Sequence, residues 1–367
     1  MTESSRTSAL AGRHRALGSA LEDWNGMGAA WSYDTDPCDE HDAVREAAGL
    51  FDVSGLRKVH VRGTDAAAVV DHIITRDMTR IPVGMSAYGP ILNDKGRICD
   101  DAIIAHEGPD HWLVVHGSGQ TMERLTETAS GKNVDVEFDD FLHDISLQGP
   151  KAVAFLDQHT PLDLPALAYF HQKPTEVFGH KCTISRTGYS GERGYEIFAG
   201  ADVIGDIWDN ILEKGKRAGI VPCSFNCLDK IRVEAGLLFY PYDMTTQNSP
   251  WEVGLGWAVH RGKADFRGKA AVLALEGQEK VKVVGLVLDH TEAAAGGEKL
   301  EINGAEVGIV NSPVWSHRMN KSLALAHIKP EYTAPGTQLQ VEGDDLSCSA
   351  RVETLPFYDP RKTRTHA

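Results

Sequence analysis

The chain has 367 residues, 42% of them hydrophobic, and carries 52 Asp and Glu against 37 Lys and Arg, a formal net charge of −15. This length predicts two or three domains, and the acidity argues against nucleic-acid or membrane-surface binding, because an anionic partner would need a local basic pocket. No apolar run approaches the roughly 20 residues that span a bilayer, and residues 1–15 are mostly polar, so we expect a cytoplasmic protein.

The first predicted elements are two helices separated by a strand. The first helix is expected to be capped by Asp39 or Asp42 and to end at Gly49. Apolar residues then alternate over 58–62, which indicates a strand. Thr64 is expected to cap the second helix, in which apolar residues recur at helical spacing.

A β-meander follows, with strands predicted over 89–92, 98–105 and 112–115. Its second strand carries Asp100 and Asp101, whose side chains must point to opposite faces. Only one of them can face a given cavity, and a carboxylate in such an apolar strand is a candidate for proton handling. The alternative is a hairpin with two solvated acids. No G-x-G-x-x-G or Walker loop follows any strand, which argues against a nucleotide-phosphate site.

The next candidate segment is a glycine-rich turn between strands predicted over 182–186 and 195–198. Its glycines allow the backbone to turn tightly beside a ligand, and Tyr189 offers a flat apolar face with a hydroxyl. Glu196 begins the second strand, where its carboxylate can accept two hydrogen bonds from a guanidine-like edge such as that of a pterin. An exposed glycine hairpin is the alternative.

A helix capped at Ser224 is predicted to run to Gly236. Arg232 lies beside an apolar run within it, so the guanidinium is expected to be paired or to face a polar cavity, and a structural ion pair is the default. Further on, Trp251 and Trp257 are either core residues or the aromatic rim of a pocket for a flat heterocycle.

Helical periodicity disappears after about residue 281, and short strands punctuated by Gly, Asn and Pro remain. The chain is therefore predicted to be α+β with a separate C-terminal β domain. No metal site is predicted. The histidines lack metal-binding spacing, and Cys223 and Cys227 lack a second ligand pair, so buried thiols are the preferred interpretation.

Taken together, these segments resemble the glycine-cleavage T-protein (aminomethyltransferase) family over nearly the whole chain. The stretch 186–197 is close to the family pattern R-T-G-Y-T-G-E-x-G-[FY]-E-I and is the most specific match. The other matching stretches are 39–54, the hairpin 93–101, 232–237, 308–310 and 335–337.

The resemblance implies a three-domain cloverleaf around a central folate channel. The first, folate-binding domain would comprise residues 1–54 plus 140–240, and the second α+β domain residues 55–139 plus 241–278. Residues 279–367 would form the C-terminal β-barrel or jelly-roll-like domain.

The resemblance also implies roles for individual residues. Asp101 would be the catalytic acid beside the folate N5/N10 region, with Asp100 the second candidate. Glu196 would bind the pterin. The positions expected to bind tetrahydrofolate are Tyr189, Glu196, Arg232, Trp251, Trp257 and His116.

Some positions depart from the T-protein pattern near the expected reaction centre. Arg97 replaces the second glycine of the hairpin, Cys99 replaces an apolar residue, and His116 stands where Asn is usual. Residues 244–256 look more like the folate-dependent demethylase branch. We therefore expect a tetrahydrofolate-dependent demethylase that moves a methyl group from O, S or N of a small methylated substrate to N5 of tetrahydrofolate.

Two alternatives stay open. One is aminomethyl transfer from a lipoyl carrier protein, as in glycine cleavage, and only in this case would the chain need a carrier protein as partner. The other is a folate-binding protein without catalytic activity.

Overall fold

Three large β-sheets organise the chain in the computed structural model, which describes residues 4–367. The strands are β1 Glu22–Trp24, β2 Met27–Ala29, β3 Ala48–Asp52, β4 Arg57–Arg62, β5 Ser86–Leu92, β6 Ile98–Gly108, β7 His111–His116, β8 Asp135–Phe138, β9 Leu142–Gln148, β10 Gln172–Val177, β11 His180–Ser185, β12 Gly194–Gly200, β13 Ile220–Pro222, β14 Lys282–Leu288, β15 Lys299–Ile302, β16 Ala305–Ser316, β17 Lys321–Ile328, β18 Gln338–Glu342 and β19 Ser347–Glu353.

Eight α-helices are described, the first of which precedes β1. The α-helices are α1 Ala11–Ala16, α2 Pro37–Glu46, α3 Ala66–Ile73, α4 Thr121–Ala129, α5 Ala152–Leu156, α6 Ile204–Gly215, α7 Phe225–Glu234 and α8 Lys269–Ala274. Short 3-10 turns occupy Met78–Arg80, Asp157–His159, Lys216–Ala218, Gly256–Ala258 and Pro330–Tyr332. None of these described helices is long and apolar enough to cross a membrane.

The first large sheet has six strands in the order β10-β11-β12-β9-β3-β13. Alternation along β9 and β12 sends Ile145 and Ile197 to a core that is covered by α5 and α6. The other face of the same strands carries polar side chains, with Glu196 directly opposite Ser146. One face therefore stabilises the sheet, and the other is available for a site.

The second sheet has five strands in the order β5-β6-β7-β4-β8, and α3 and α4 cover its apolar face. Its opposite face meets the polar face of the six-stranded sheet. Leu113 and Val115 from β7 pack there against Phe198, which is on the same face of β12 as Glu196. The two sheets thus turn their non-core faces toward each other.

The C-terminal sheet is a closed barrel in the order β14-β17-β16-β15-β18-β19. Its interior is filled by apolar residues such as Leu286 and Ala326. On the outside, Val233 of α7 packs against Val314 and Leu323. The prediction of an α+β fold with a C-terminal β-barrel is therefore confirmed.

Two predicted helix caps are wrong. Helix α2 begins at Pro37, and its cap is Asp36, whose side chain accepts a 2.8 Å hydrogen bond from the Cys38 N–H. Pro fits the first helical position because it needs no N–H partner there. Thr64 does not cap α3, because this helix begins at Ala66 and Asp65 occupies the cap position; the Thr64 hydroxyl accepts a hydrogen bond from the Asn133 side chain instead. The predicted cap of α7, Ser224, is confirmed.

The sheets take their strands from distant parts of the chain. The six-stranded sheet combines β3 with strands between residues 142 and 222, and the five-stranded sheet lies within 57–138. Residues from the 241–278 stretch pack with Leu92 and Ile98 of the five-stranded sheet. The boundaries of the three predicted domains remain a prediction, in which each domain contains one of the three large sheets.

Candidate active site

Asp100 and Asp101 point to opposite faces of β6. Asp101 lies on the face that meets the six-stranded sheet and is partly exposed, whereas Asp100 is fully buried on the core side. Tyr88, from the neighbouring strand β5, donates a 2.8 Å hydrogen bond to Asp101 Oδ2. Of the two adjacent acids, only Asp101 faces the space between the sheets.

Asp100 is held entirely by protein groups. Its Oδ2 accepts bonds from His116 Nδ1 at 2.9 Å and from the Thr121 hydroxyl at 2.6 Å and backbone N–H at 3.2 Å. Its Oδ1 accepts the Asp101 N–H at 2.9 Å. A Cβ at Gly119 would lie 2.4 Å from Asp100 Cγ, so the acid is tightly enclosed. This geometry makes Asp100 a support for the strand, not a group that meets a ligand.

His116 shares the buried side of Asp100. It pairs with Ala102 across the sheet and is 1% exposed. Its Nε2 has no hydrogen-bond partner among the described residues. The histidine therefore orients Asp100, and its ring does not reach the face that carries Asp101.

The environment of Asp101 suits proton transfer. Burial, together with the negative charge of Asp100, raises the pKa of Asp101 to about 7, although the Tyr88 hydrogen bond acts in the opposite direction. A carboxyl with this pKa is present in both protonation states near neutral pH. Such a group can give a proton to a leaving group and recover it afterwards.

Glu196 lies on the facing sheet and is 9% exposed. The Thr187 hydroxyl donates a hydrogen bond to Glu196 Oε2. The other carboxylate oxygen makes no hydrogen bond with the residues that the structure describes. Burial raises the pKa of Glu196, because a desolvated carboxylate is costly. A ligand with N–H donors would meet the free oxygen and relieve that cost.

Tyr189 is in the turn between β11 and β12. Its hydroxyl donates to the Leu238 backbone carbonyl, and its ring packs at the edge of the apolar cluster around Phe51. The glycines of this turn are structurally required. Gly191 has φ +76°, and a Cβ at Gly188 would lie 2.2 Å from Gln148 Oε1. The turn therefore holds Tyr189 beside the polar sheet face.

Arg232 is buried, and its guanidinium binds groups from three segments. Nε donates to Asp229 at 2.8 Å, Nη1 donates to Asp243 and to the Leu237 carbonyl, and Nη2 donates to Ser312 of the barrel at 2.9 Å. The predicted structural ion pair is therefore present. Arg232 joins α7, the following loop and the barrel behind Tyr189.

The two tryptophans differ in environment. Trp251 donates its indole N–H to the Val272 carbonyl at 2.7 Å and packs in an apolar cluster. Trp257 is 64% exposed, stacks on Tyr88 with ring centroids 6.4 Å apart, and lies under the Arg76 guanidinium. Trp257 therefore belongs to the rim near Asp101, whereas Trp251 contributes to the core.

Sequence reasoning missed four residues that face this region. Tyr88 binds Asp101, and Arg76 lies over Trp257 and forms no ion pair with any described residue. Lys58 and Asp144 are buried between the two sheets. Period-two alternation indicates which face each strand residue occupies, but no motif marks these positions.

The buried thiols Cys223 and Cys227 lie near Glu40. Both Glu40 oxygens are already occupied, one by the Thr35 hydroxyl at 2.6 Å and the other by the N–H and hydroxyl of Ser224 at 2.8 and 2.7 Å. Burial raises the pKa of Cys223, which keeps it a neutral thiol. The interpretation of these cysteines as buried apolar thiols agrees with this packing.

Two family models match nearly the whole chain. The GCVT N-terminal domain matches residues 10–263, and the glycine cleavage T-protein C-terminal barrel domain matches residues 282–359. The chain belongs to the glycine-cleavage T-protein family. The expected resemblance is therefore confirmed.

Similar T-proteins include a demethylase subunit and aminomethyltransferases. The gamma subunit of heme-dependent oxidative N-demethylase from Ectopseudomonas mendocina is 47% identical, with both chains fully covered. Aminomethyltransferase from Saccharopolyspora erythraea is 33% identical over 94% of this chain and 96% of the relative. The crystal structure of glycine cleavage system aminomethyltransferase T from Bartonella henselae has a TM-score of 0.89 at 25% identity, covering 96% of this chain and 98% of that chain.

These relatives are aminomethyltransferases and a demethylase subunit, so membership supports a one-carbon transferase. The family's folate dependence agrees with a buried carboxylate that keeps a free oxygen at Glu196. The finer question is which one-carbon donor this T-protein uses.

Proposed function

We propose that this T-protein transfers the one-carbon unit of an N-methylated amine to tetrahydrofolate, as one subunit of an assembly whose partner oxidises the N-methyl group. The proposal is supported by the 47% identity, over both full lengths, to a gamma subunit of an oxidative N-demethylase. It narrows the predicted donor atoms O, S and N to nitrogen.

The observation that carries the proposal is the placement of Asp101. Its carboxyl faces the space between the sheets, next to Tyr88, with a pKa of about 7. An amine that leaves from a carbon centre needs a proton on its nitrogen, and a carboxyl with this pKa can supply it at neutral pH. A sulfonium donor would leave as a neutral sulfide and would not require such an acid.

The residues opposite Asp101 fit tetrahydrofolate. The amine-bearing edge of a pterin presents N–H donors, which a carboxylate such as Glu196 accepts. Arg76, with no ion-pair partner among the described residues, is our candidate for the anionic glutamate tail. When bound, tetrahydrofolate supplies the nucleophilic nitrogens that take up the one-carbon unit.

The chain's own residues have separate tasks in this proposal. Glu196 and Tyr189 orient the flat ring, and Tyr88 holds the Asp101 carboxyl in place. Asp101 holds a proton on its carboxyl and donates it to the departing amine nitrogen. Trp257, stacked on Tyr88, covers the rim and limits access of water.

Oxidation of the N-methyl group releases two electrons, so the reaction requires the oxidising partner subunit. Removing the equivalent of a hydride from an N-methyl group takes the carbon to the oxidation level of formaldehyde, and the two electrons go to an acceptor on the oxidising subunit. The folate product is then 5,10-methylene-tetrahydrofolate. Direct transfer of an unoxidised methyl group, which the sequence led us to expect, would instead give 5-methyl-tetrahydrofolate. The two products distinguish these reactions.

The test uses the complex purified with its native partner subunits, tetrahydrofolate and N-[¹³C]methyl amines, with semicarbazide present to trap free formaldehyde. We expect labelled methylene-tetrahydrofolate only when an electron acceptor is supplied. Labelled 5-methyl-tetrahydrofolate without an acceptor would replace the proposal by direct demethylation. Activity only with an aminomethyl-loaded lipoyl carrier protein would assign the chain to glycine cleavage.

A further inference from the structure

Asp144 is a buried carboxyl that lacks a hydrogen-bond partner in the described part of the chain. It is 0% exposed, and neither carboxylate oxygen accepts a hydrogen bond from any described residue. A buried carboxyl without a hydrogen-bond partner costs folding free energy, so its presence calls for an explanation, such as a ligand that supplies the missing donor. Burial raises the pKa of Asp144 well above its ordinary value; the nearby charge of Glu196 adds to this effect, and the Lys58 ammonium acts against it.

Strand register places Asp144 beside Glu196. On β9 and β12, Asp144 pairs with Phe198 and Ser146 pairs with Glu196, so both acids project from the same face. They are diagonal neighbours on adjacent strands, which puts their Cα atoms about 7–8 Å apart. This is the polar face that meets the five-stranded sheet, not the apolar core.

The backbone around Asp144 is firmly held, although its carboxyl is not. The Asp144 N–H donates to the Ser54 hydroxyl at 3.1 Å, and its carbonyl accepts the Val53 N–H at 3.0 Å. Lys58 reaches the same region from the other sheet and donates to the Ser54 and Leu56 carbonyls, both at 2.7 Å. Its ammonium has a third N–H. The region between the two sheets therefore holds a cation, Lys58, near two carboxyls, Asp144 and Glu196.

We propose that Asp144 is a second carboxyl anchor for the folate ring, which accepts the N8–H donor of a reduced pteridine while Glu196 accepts donors of the amine-bearing edge. This proposal rests on the proposed function and names a residue that positions the ligand. The N–H at N8 exists in tetrahydro- and dihydropteridines and is absent from the oxidised ring of folic acid. Asp144 therefore selects the reduced ligand.

The decisive measurements are the dissociation constants of tetrahydrofolate and folic acid, obtained by anaerobic calorimetry on the full chain. Asp144→Leu is expected to weaken tetrahydrofolate binding by roughly 10- to 100-fold, because the N8–H donor of the bound ring would be left buried without an acceptor. Folic acid binding should change much less. Glu196→Gln should weaken both ligands.

Stability provides an independent readout. Asp144→Leu breaks no hydrogen bond to a described residue, and it removes a costly buried carboxyl together with the charge that offsets buried Lys58. The melting temperature should therefore change little while binding weakens, whereas a purely structural residue would lower the melting temperature and leave the ratio of the two dissociation constants unchanged. Asp144→Asn keeps the size of the side chain, so it serves as a second variant that separates the loss of the carboxyl from any change in packing caused by leucine.

Asp52 offers a matched control. It is a partly buried acid on the adjacent strand β3, but its carboxylate is satisfied by His14, Ser8 and the Ser54 N–H. Asp52→Asn should lower stability and leave the ratio of the two dissociation constants unchanged. If both Asp144 variants bind tetrahydrofolate as tightly as the wild type, bound water explains the orphan carboxyl and the inference is wrong. If the wild type binds no folate, the proposed function itself fails.

Discussion

The Tyr88 hydroxyl donates a 2.8 Å hydrogen bond to Asp101 across neighbouring strands of the five-stranded sheet. A hydrogen bond to a carboxylate favours the ionised form, so this contact keeps the pKa of Asp101 lower than burial alone would make it. The hydroxyl therefore helps to place that pKa near neutrality.

Replacing Tyr88 by Phe is expected to raise the pKa of Asp101. If the protonated acid assists departure of the amine, the rate falls as pH rises through about 7, and in Tyr88→Phe this decline should move to higher pH by about 0.5–1 unit. The measurement is kcat against pH for both proteins. An unchanged alkaline limb would show that Asp101 does not set the pH dependence.

Asp101→Asn and Asp100→Asn should separate chemistry from structure. Asp101→Asn removes the proton donor and is expected to lower kcat by about 10²–10⁴-fold, with little change in melting temperature. Asp100→Asn disrupts a buried acceptor of several hydrogen bonds and should lower stability by about 1–3 kcal/mol. Equal loss of kcat in two equally stable variants would contradict this division.

The two tryptophans offer a similar contrast. Trp257 is 64% exposed, so Trp257→Ala should change the free energy of unfolding by less than about 0.5 kcal/mol, while it raises KM for the folate. Trp251→Ala should cost about 3–5 kcal/mol because it removes packed surface and a bond to Val272. Urea unfolding and steady-state kinetics on both variants check this. Unchanged KM in Trp257→Ala would exclude it from the site.

Arg232→Met is expected to destabilise the protein strongly. The change leaves Asp243 buried without its cation and removes the link to Ser312 of the barrel. Breaking a buried pair in this way costs about 3–5 kcal/mol. Chemical denaturation gives the value, and the double variant Arg232→Met with Asp243→Leu should recover part of it. A loss below 1 kcal/mol would mean that the ion pair is not important for folding.

The loss of folding stability in acid should depend on Glu234. Burial alone would raise the pKa of this carboxyl, but the hydrogen bond from His41 and the charges of His41 and Arg45 lower it to about 2. Its contribution of about 3 kcal/mol is therefore present above the unfolded-state pKa near 4.3 and is lost as pH falls toward 2. Glu234→Gln should be less stable than the wild type at pH 7, and the gap should narrow by pH 3. A constant gap in unfolding free energy would contradict this account.

Several site residues could be predicted because their signals are local. The turn around Tyr189 can form only with glycine at its tightest positions, so the glycines in the sequence mark it. In a strand, neighbouring side chains point to opposite faces, so Asp100 and Asp101 must be separated. Helix starts were less certain, because several acids lie close together before α2 and only the one preceding Pro37 has the right backbone. Prediction therefore succeeded where the chain leaves a single geometric solution.

The sequence by itself determined the family, the α+β class, the C-terminal barrel, and the candidate pair of Asp101 and Glu196, since these depend on ordered motifs and on periodicity along the chain. Only the tertiary structure decided that His116 and Asp100 lie on the buried side. It alone showed that Lys58 and Asp144 are both buried between the two sheets. The physical reason is that alternation assigns a side chain to a face, whereas the packing of one sheet on another decides which groups on those faces are left without partners.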